Sequence, residues 1–235
     1  MVGVLFPSKF EAEEYLEALS AKTVRKIGDL WTCQGTLHGD KVIVAVIGIG
    51  TGPALQRTRT FLENFPCSAI VLAGFGGSLS PRLPKGSLVV ASEVSSDDLI
   101  NYIKLLPDFV IAKVHTSAKV VSGREAKLRL AQETGCQVVD MELAPIGALI
   151  REAGIEFLCL RVISDGVDDE VPHALLAKTY SATTGLPKSK FVVGSTLALQ
   201  PWNAVKLARF VKELKPVRKI LTGFLIVLTK EVGSV

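Results

Sequence analysis

The sequence predicts an α/β fold in which buried, largely parallel strands alternate with helices, and three observations carry this. The chain has 235 residues, 48% of them hydrophobic and 21% charged, which is enough to bury a large core and too apolar for disorder. Short apolar runs recur between stretches of helical periodicity, as βαβ units require. Aromatics make up only 6% of the chain, while small and β-branched residues abound, which suits strands covered on both faces better than an aromatic-rich sandwich. No low-complexity linker, charge block or internal repeat divides the chain, so one large domain is preferred to two small ones.

The elements follow in order. Val2 to Leu5 reads as a first strand and Phe10 to Leu19 as an amphipathic helix whose acids sit at its positive N-terminal end. Lys41 to Ile47 reads as a buried strand, Pro53 to Asn64 as a helix, and Ala69 to Ala73 and Ser87 to Ala91 as strands. Between the last two, Ser78 to Gly86 is a Pro- and Gly-containing turn. Downstream come a strand at Asp108 to Val114, a helix at Glu125 to Glu133, a strand at Gln137 to Asp140, a helix at Leu143 to Ala153 and a strand at Glu156 to Ile163. The stretch Ala182 to Lys190 carries few core-forming residues and reads as a loose segment. From Pro201 the apolar positions Trp202, Val205, Ala208, Val211, Leu214, Val217, Leu221, Phe224 and Leu228 recur at helical spacing, with Pro216 expected to kink or split the helix.

Composition excludes several function classes. Cys33, Cys67, Cys136 and Cys159 lie far apart, without the C-x-x-C spacing of a zinc or redox site, and read as reduced, packed thiols. No His is spaced with another ligand as a metal pair would be, so no metal is expected; His173, shortly after Asp165, reads as a surface or capping residue in preference to one lining the pocket. No apolar run reaches the roughly 20 residues of a membrane span. The N-terminus turns acidic within eleven residues and does not read as a secretion signal, so a cytoplasmic location is expected. The net charge of +4 is concentrated in the tail: from Pro201 onward there are seven basic and two acidic residues, against 20 and 21 in the first 200. That argues against a nucleic-acid groove on the body of the protein. The basic tail has two readings, a helix packed on the core or on a second subunit, and an amphipathic anchor on an anionic membrane.

Four strand ends carry the candidate chemistry. Gly48-Ile-Gly50-Thr-Gly52 follows one strand and Gly74-Phe-Gly76-Gly77 another, at the carboxyl ends where open α/β sheets bind ligands. A dinucleotide fingerprint fits poorly, because Pro53 stands where the third glycine of G-x-G-x-x-G belongs. QVVDMELAPIGAL places Asp140, Met141 and Glu142 at a strand-to-helix junction, and FLCLRVISDGVDDEVP places Ser164 and Asp165 past an apolar strand. An acid at such a junction is most often a cap or turn residue. A carboxyl held over apolar surroundings can also act as a general acid.

The order G-I-G, AGFGGSLSPRLPKGSLVVA, VVSG, VVDMEL and RVISD resembles the purine nucleoside phosphorylase/uridine phosphorylase superfamily. Within it, the likeness is nearest to methylthioadenosine/S-adenosylhomocysteine nucleosidases and hopanoid-associated adenosylhopane nucleosidases. The resemblance spans most of Val2 to Pro172. It implies a three-layer α/β/α catalytic domain over residues 1–200 with a central mixed, mostly parallel twisted sheet, followed by the basic helical region 201–235. It also implies a cofactor-independent nucleosidase that cleaves a purine, adenine-type nucleoside modified at the 5′ position. That nucleoside would be small or lipid-linked, the enzyme a homodimer, and membrane contact, if any, peripheral at the inner face.

Carried over residue by residue, Asp165 matches the acid that protonates N7 of the leaving base, with Ser164 orienting it. Glu142 matches the carboxylate that grips the ribose hydroxyls, with Met141 beside the sugar. Glu13 best matches the first-helix carboxylate that activates water, with Glu11 or Glu14 as the equivalent if the register of this acid-rich helix is shifted. Gly50, Phe75 and Gly76 are expected to line the substrate site. Leu72 and Phe75 stand where phosphorylases of the superfamily carry an arginine and a Ser or Thr for phosphate, which favours water as nucleophile. Arg124 to Lys127 (REAK) offers no ring where those hydrolases stack the purine. A phosphorylase using another phosphate grip and a catalytically silent nucleoside-binding protein are the alternatives.

Overall fold

The computed structural model describes residues 1–104, 106, 109–179, 181, 188 and 201–232. Its strands are β1 (Val2–Phe6), β2 (Ser20–Ile27), β3 (Leu30–Leu37), β4 (Asp40–Val46), β5 (Ala69–Ser78), β6 (Leu88–Ala91), β7 (Phe109–Ala112), β8 (Val114–Thr116), β9 (Val138–Asp140) and β10 (Glu156–Asp165). The helices are α1 (Lys9–Ala18), α2 (Thr51–Asn64), α3 (Asp97–Ile103), α4 (Arg124–Thr134), α5 (Leu143–Glu152), α6 (His173–Thr179) and α7 (Pro201–Val232). The sheet runs β2-β3-β4-β1-β5-β10-β6-β7, with β9 pairing both β5 and β8. Its centre, β4-β1-β5-β10, is parallel, and antiparallel pairs stand at β2/β3, β3/β4, β6/β10 and β5/β9.

Alternation along the strands makes the layers. In β1, Val2, Val4 and Phe6 face a core shared with Ala12 and Tyr15 of α1, Ile100 of α3, and Leu221 and Leu228 of α7. Leu5 faces the opposite core, shared with Phe61 of α2 and Ile150 of α5. A period of two therefore feeds both sides of one sheet, and helices cover each side.

The elements read from the sequence are present, with additions. The hairpin β2–β3 lacks the continuous apolar run of a central strand; β2 lies at the sheet edge with nearly every residue exposed. The strand expected from Asp108 is two short ones separated at Lys113, and Asp108 itself lies outside the described residues. So does most of the segment Ala182 to Lys190.

The tail is one helix that runs across Pro216 without being split. Leu207, Leu214, Val217, Leu221, Leu225 and Leu228 are buried, whereas Val205 is 64% exposed and Ala208 is also outside. The strict three-residue spacing from Trp202 onward cannot stay on one face, because each step of three falls about 60° short of a full turn. The true inward stripe therefore passes through Leu207. Among the described residues no helix is long and apolar enough to cross a membrane.

Candidate active site

The carboxyl ends of β1, β4, β5, β9 and β10 open on one cavity of about 400 Å³. Its walls include Glu11, Phe75, Gly76, Met141, Glu142, Ser164 and Asp165.

Glu11 reaches the cavity because of how α1 begins. Ser8, in extended backbone at the N-cap, accepts the Glu11 N–H at 3.2 Å, the first half of an S-x-x-E capping box. The Glu11 carboxylate departs from that motif. Oε2 accepts the Ser8 hydroxyl at 2.5 Å, and Oε1 accepts the backbone N–H of Phe75 at 2.8 Å. This crossing from α1 to β5 requires Gly74, since a Cβ there would stand 2.9 Å from Glu11 Oε1. Burial pushes the Glu11 carboxyl above its ordinary value, against the hydrogen bonds from Ser8 and Phe75 and the nearby Arg161 charge.

Glu13, expected at the cavity from the sequence, is turned away from it. It pairs with Arg218 of α7, as does Glu14, and its side chain is 57% exposed. Two residues on a helix are about 200° apart, so Glu11 and Glu13 occupy opposite sides of α1. The clue available in the sequence was Ser8-Lys-Phe-Glu11, whose cap spacing fixes the register of the helix.

Glu142 precedes α5 and is buried. Its Oε1 accepts the Gly50 N–H at 2.7 Å, and Oε2 stands 3.8 Å from Arg161 Nη2. Gly50 presents that N–H from a backbone with φ +88, a region unfavourable for residues with a Cβ. Burial pushes Glu142 from its ordinary 4.5 up to about 7, with Arg161 opposing and the Asp140 and Glu11 charges adding. Because this carboxyl is raised in the folded chain, the stability it contributes is fully present below pH 4.5 and is lost as the pH rises through about 7. The parent is expected to lose roughly 3 kcal/mol more than Glu142→Gln across that window, measured by urea unfolding of both proteins at pH 5 and pH 8.

Arg161, which the sequence reading passed over, organises this end of the site. Its Nε and Nη2 donate to Asp140 Oδ2 at 3.1 and 2.5 Å, its side chain is fully buried, and Nη1 has no hydrogen-bond partner. Asp140 also accepts the Thr116 hydroxyl and the Leu143 N–H, so it is the cap-like acid of the junction. A lone arginine inside the apolar run FLCLRVISD was the available signal, since a buried charge must be paired.

Asp165 ends β10. That strand follows β5 residue for residue from Glu156 to Ile163, then slips by one, so that Asp165 rather than Ser164 stands opposite Gly77. Such an irregularity re-aims a side chain. Ser164 Oγ lies 2.5 Å from Asp165 Oδ1 and 3.3 Å from the Gly76 carbonyl. Lys127 Nζ of α4 donates to Oδ2 at 2.6 Å. Nothing in the REAK segment had singled out that lysine.

The structure thus brings Gly50, Phe75, Gly76, Met141, Glu142, Ser164 and Asp165 together, and adds Glu11, Arg161 and Lys127. Phe75 contributes its backbone N–H to Glu11 while its ring meets Phe10 edge-on at 6.2 Å. His173 is exposed at the cavity rim. Among the described residues no group of three or more His, Cys, Asp or Glu side chains could hold a metal ion, and the four cysteines are free.

Comparison with known proteins agrees with this architecture. The 5'-methylthioadenosine/S-adenosylhomocysteine nucleosidase of Baumannia cicadellinicola is 28% identical over 173 residues, covering 59% of this chain and 74% of that protein. The structure of the Helicobacter pylori enzyme of the same name, bound to butyl-thio-DADMe-Immucillin-A, superposes with a TM-score of 0.74 at 18% identity, over 98% of this chain and 97% of that one. Futalosine hydrolase of Helicobacter pylori strain 26695 superposes with a TM-score of 0.73, also at 18% identity, over the same shares. A family model for the phosphorylase superfamily matches residues 1–112 and 104–185. With most of the chain so matched, and with the G-I-G, VVDMEL and RVISD segments meeting at one cavity, the chain belongs to the phosphorylase superfamily.

Proposed function

We propose that this protein hydrolyses the N-glycosidic bond of an adenine nucleoside that carries an apolar 5′ substituent. The observation that carries the reading is the convergence of three differently held carboxyl groups, Glu11, Glu142 and Asp165, on one cavity. Asp165 gives a proton to N7 of the base, so the electron pair of the breaking C1′–N9 bond enters a neutral leaving group. Glu142 accepts the ribose hydroxyls and stabilises the positive charge that grows on the sugar. Glu11 takes a proton from the water whose oxygen bonds to C1′. A carboxyl pushed up by burial suits that exchange better than an ordinary surface acid.

Water is the preferred nucleophile. Among the described residues lining the cavity, Lys119 is the one with a fixed positive charge, and Leu72 is packed in the core beneath the sheet. A phosphate dianion would lack its usual arginine fork. Phe10, Leu176, Phe210, Val211 and Leu214 give the cavity an apolar wall on the side of α1, α6 and α7, which fits an apolar substituent. The test is adenine release from adenosine, methylthioadenosine, S-adenosylhomocysteine and adenosylhopane, with and without phosphate. Equal release in both buffers is expected; release that requires phosphate makes the protein a phosphorylase, and none from any of the four favours a silent binding protein.

A second reading, a lipid-linked nucleoside met at a membrane surface, is favoured by the outward face of α7. Lys206, Arg209, Lys212 and Lys219 are exposed there, while Phe210, Val211 and Leu214 of the same helix line the cavity. Among the described residues of α7 the large apolar side chains left exposed are the scattered Val205, Ile220 and Val227, so attraction to the membrane would be chiefly electrostatic, about 1 kcal/mol per basic residue near the surface. Under this reading the protein floats with anionic but not neutral vesicles, salt releases it, and replacing the four basic residues with Gln abolishes flotation while sparing turnover of methylthioadenosine. A parent protein that fails to float leaves the small soluble nucleoside as substrate.

A further inference from the structure

Lys127 has no exposed side-chain surface and does not line the cavity; it stands behind Asp165, which does. Its Nζ donates to Asp165 Oδ2 at 2.6 Å, to the Gly166 carbonyl at 2.6 Å and to the Asp169 carbonyl at 3.3 Å. An ammonium has three N–H bonds, so its donor capacity is used in full. The turn it grips is closed on itself, because the Gly166 N–H donates to Asp169 Oδ2 at 2.8 Å. On the other side a Cβ at Gly77 would stand 3.1 Å from Asp165 Oδ2. The carboxyl is therefore held from behind by Lys127, from the side by Ser164 and from below by the β5 backbone. A buried lysine is an expensive way to fill space, and an apolar side chain of similar volume would serve packing alone as well or better.

We propose that Lys127 is a positioning residue for glycosidic cleavage. Acting through Asp165, its ammonium fixes which carboxyl oxygen carries the proton that goes to the leaving base. Oδ2 accepts an ammonium hydrogen at 2.6 Å, which leaves Oδ1 to carry the acid proton; the Ser164 hydroxyl, which donates to Oδ1 at 2.5 Å in the carboxylate form, then turns its hydrogen to the Gly76 carbonyl at 3.3 Å. Lys127 keeps its own three protons throughout; the one transferred to N7 comes from the Asp165 carboxyl. The proposal rests on the reading of Asp165 as the general acid.

The experiment compares Lys127→Met, Asp165→Asn and the double variant with the parent, all as the full chain. The substrates are methylthioadenosine, whose base leaves with a proton, and 4-nitrophenyl ribofuranoside, whose nitrophenolate leaves without one. Lys127→Met is expected to lower kcat on methylthioadenosine by about 10- to 100-fold with KM within about threefold, and to change the nitrophenyl reaction less than about threefold. Adding Lys127→Met to Asp165→Asn is expected to cost less than about threefold more, as for residues that act as a unit. Because the double variant leaves no buried charge stranded, this comparison stands even where Lys127→Met alone does not fold. Equal losses on both substrates would mean a structural role and overturn the proposal, as would a large extra loss in the double variant or a normal Lys127→Met enzyme. Normal turnover by Asp165→Asn would instead remove the general-acid reading on which the proposal rests.

Discussion

Asp165→Asn is expected to lower kcat on methylthioadenosine by at least about 100-fold, within the 10²- to 10⁴-fold range of general acid catalysis, while the protein remains folded. Asparagine keeps the shape of the side chain, and its amide oxygen still accepts the Lys127 ammonium, now held also by the carbonyls of Gly166 and Asp169. What it loses is the transferable proton. Without that proton the purine departs as an anion, and the barrier rises in the bond-breaking step rather than in binding, so KM is expected to change little. Steady-state kinetics together with circular dichroism of the variant separate lost chemistry from lost folding. Turnover within about fivefold of the parent, at normal folding, would remove Asp165 as the acid and with it the family-based role for the RVISD segment.

Much of the fold was legible because its signals are strong ones. The central strands are apolar runs, broken by charge only at Arg161 of β10, and three of the four lead into glycine or acid, as suits a sheet covered on both faces. The edge hairpin β2–β3 was not legible, since β2 alternates nothing: it is exposed on both faces and held by pairing to β3. At the site, residues at the ends of apolar strands were found because strand ends mark where ligands bind in such sheets. The partners that hold them were missed. Lys127 sits in a helix of low apolar content, and its meeting with Asp165 joins segments 38 residues apart. Arg161 was visible as a charge in an apolar strand, but its pairing with Asp140 and its approach to Glu142 are facts of packing between β10 and the junction before α5. The acid on α1 was a matter of helical phase, which the cap at Ser8 fixes and the run of glutamates obscures.

That phase makes the sharpest remaining test. Glu11→Gln is expected to lower kcat on methylthioadenosine by about 10²- to 10³-fold, the usual loss for a general base, whereas Glu13→Gln stays within about twofold of the parent. The glutamine at position 11 keeps an oxygen that accepts the Phe75 N–H and a group that can meet the Ser8 hydroxyl, so the junction of α1 with β5 is preserved. It cannot take a proton from water. Glu11→Gln also removes a buried carboxyl that burial has pushed up, so the variant is expected to be no less stable than the parent at alkaline pH, where that carboxyl would be ionised. Glu13 is more than half exposed, and its pairing with Arg218 is shared with Glu14 and with the Phe10 carbonyl. A partly exposed pair of this kind is worth about 1 kcal/mol at most, and Arg218 keeps its other partners when Glu13 is neutralised. The opposite pattern, a large loss in Glu13→Gln with Glu11→Gln near normal, would return the water-activating role to Glu13 and require α1 to turn by half a revolution in the working enzyme.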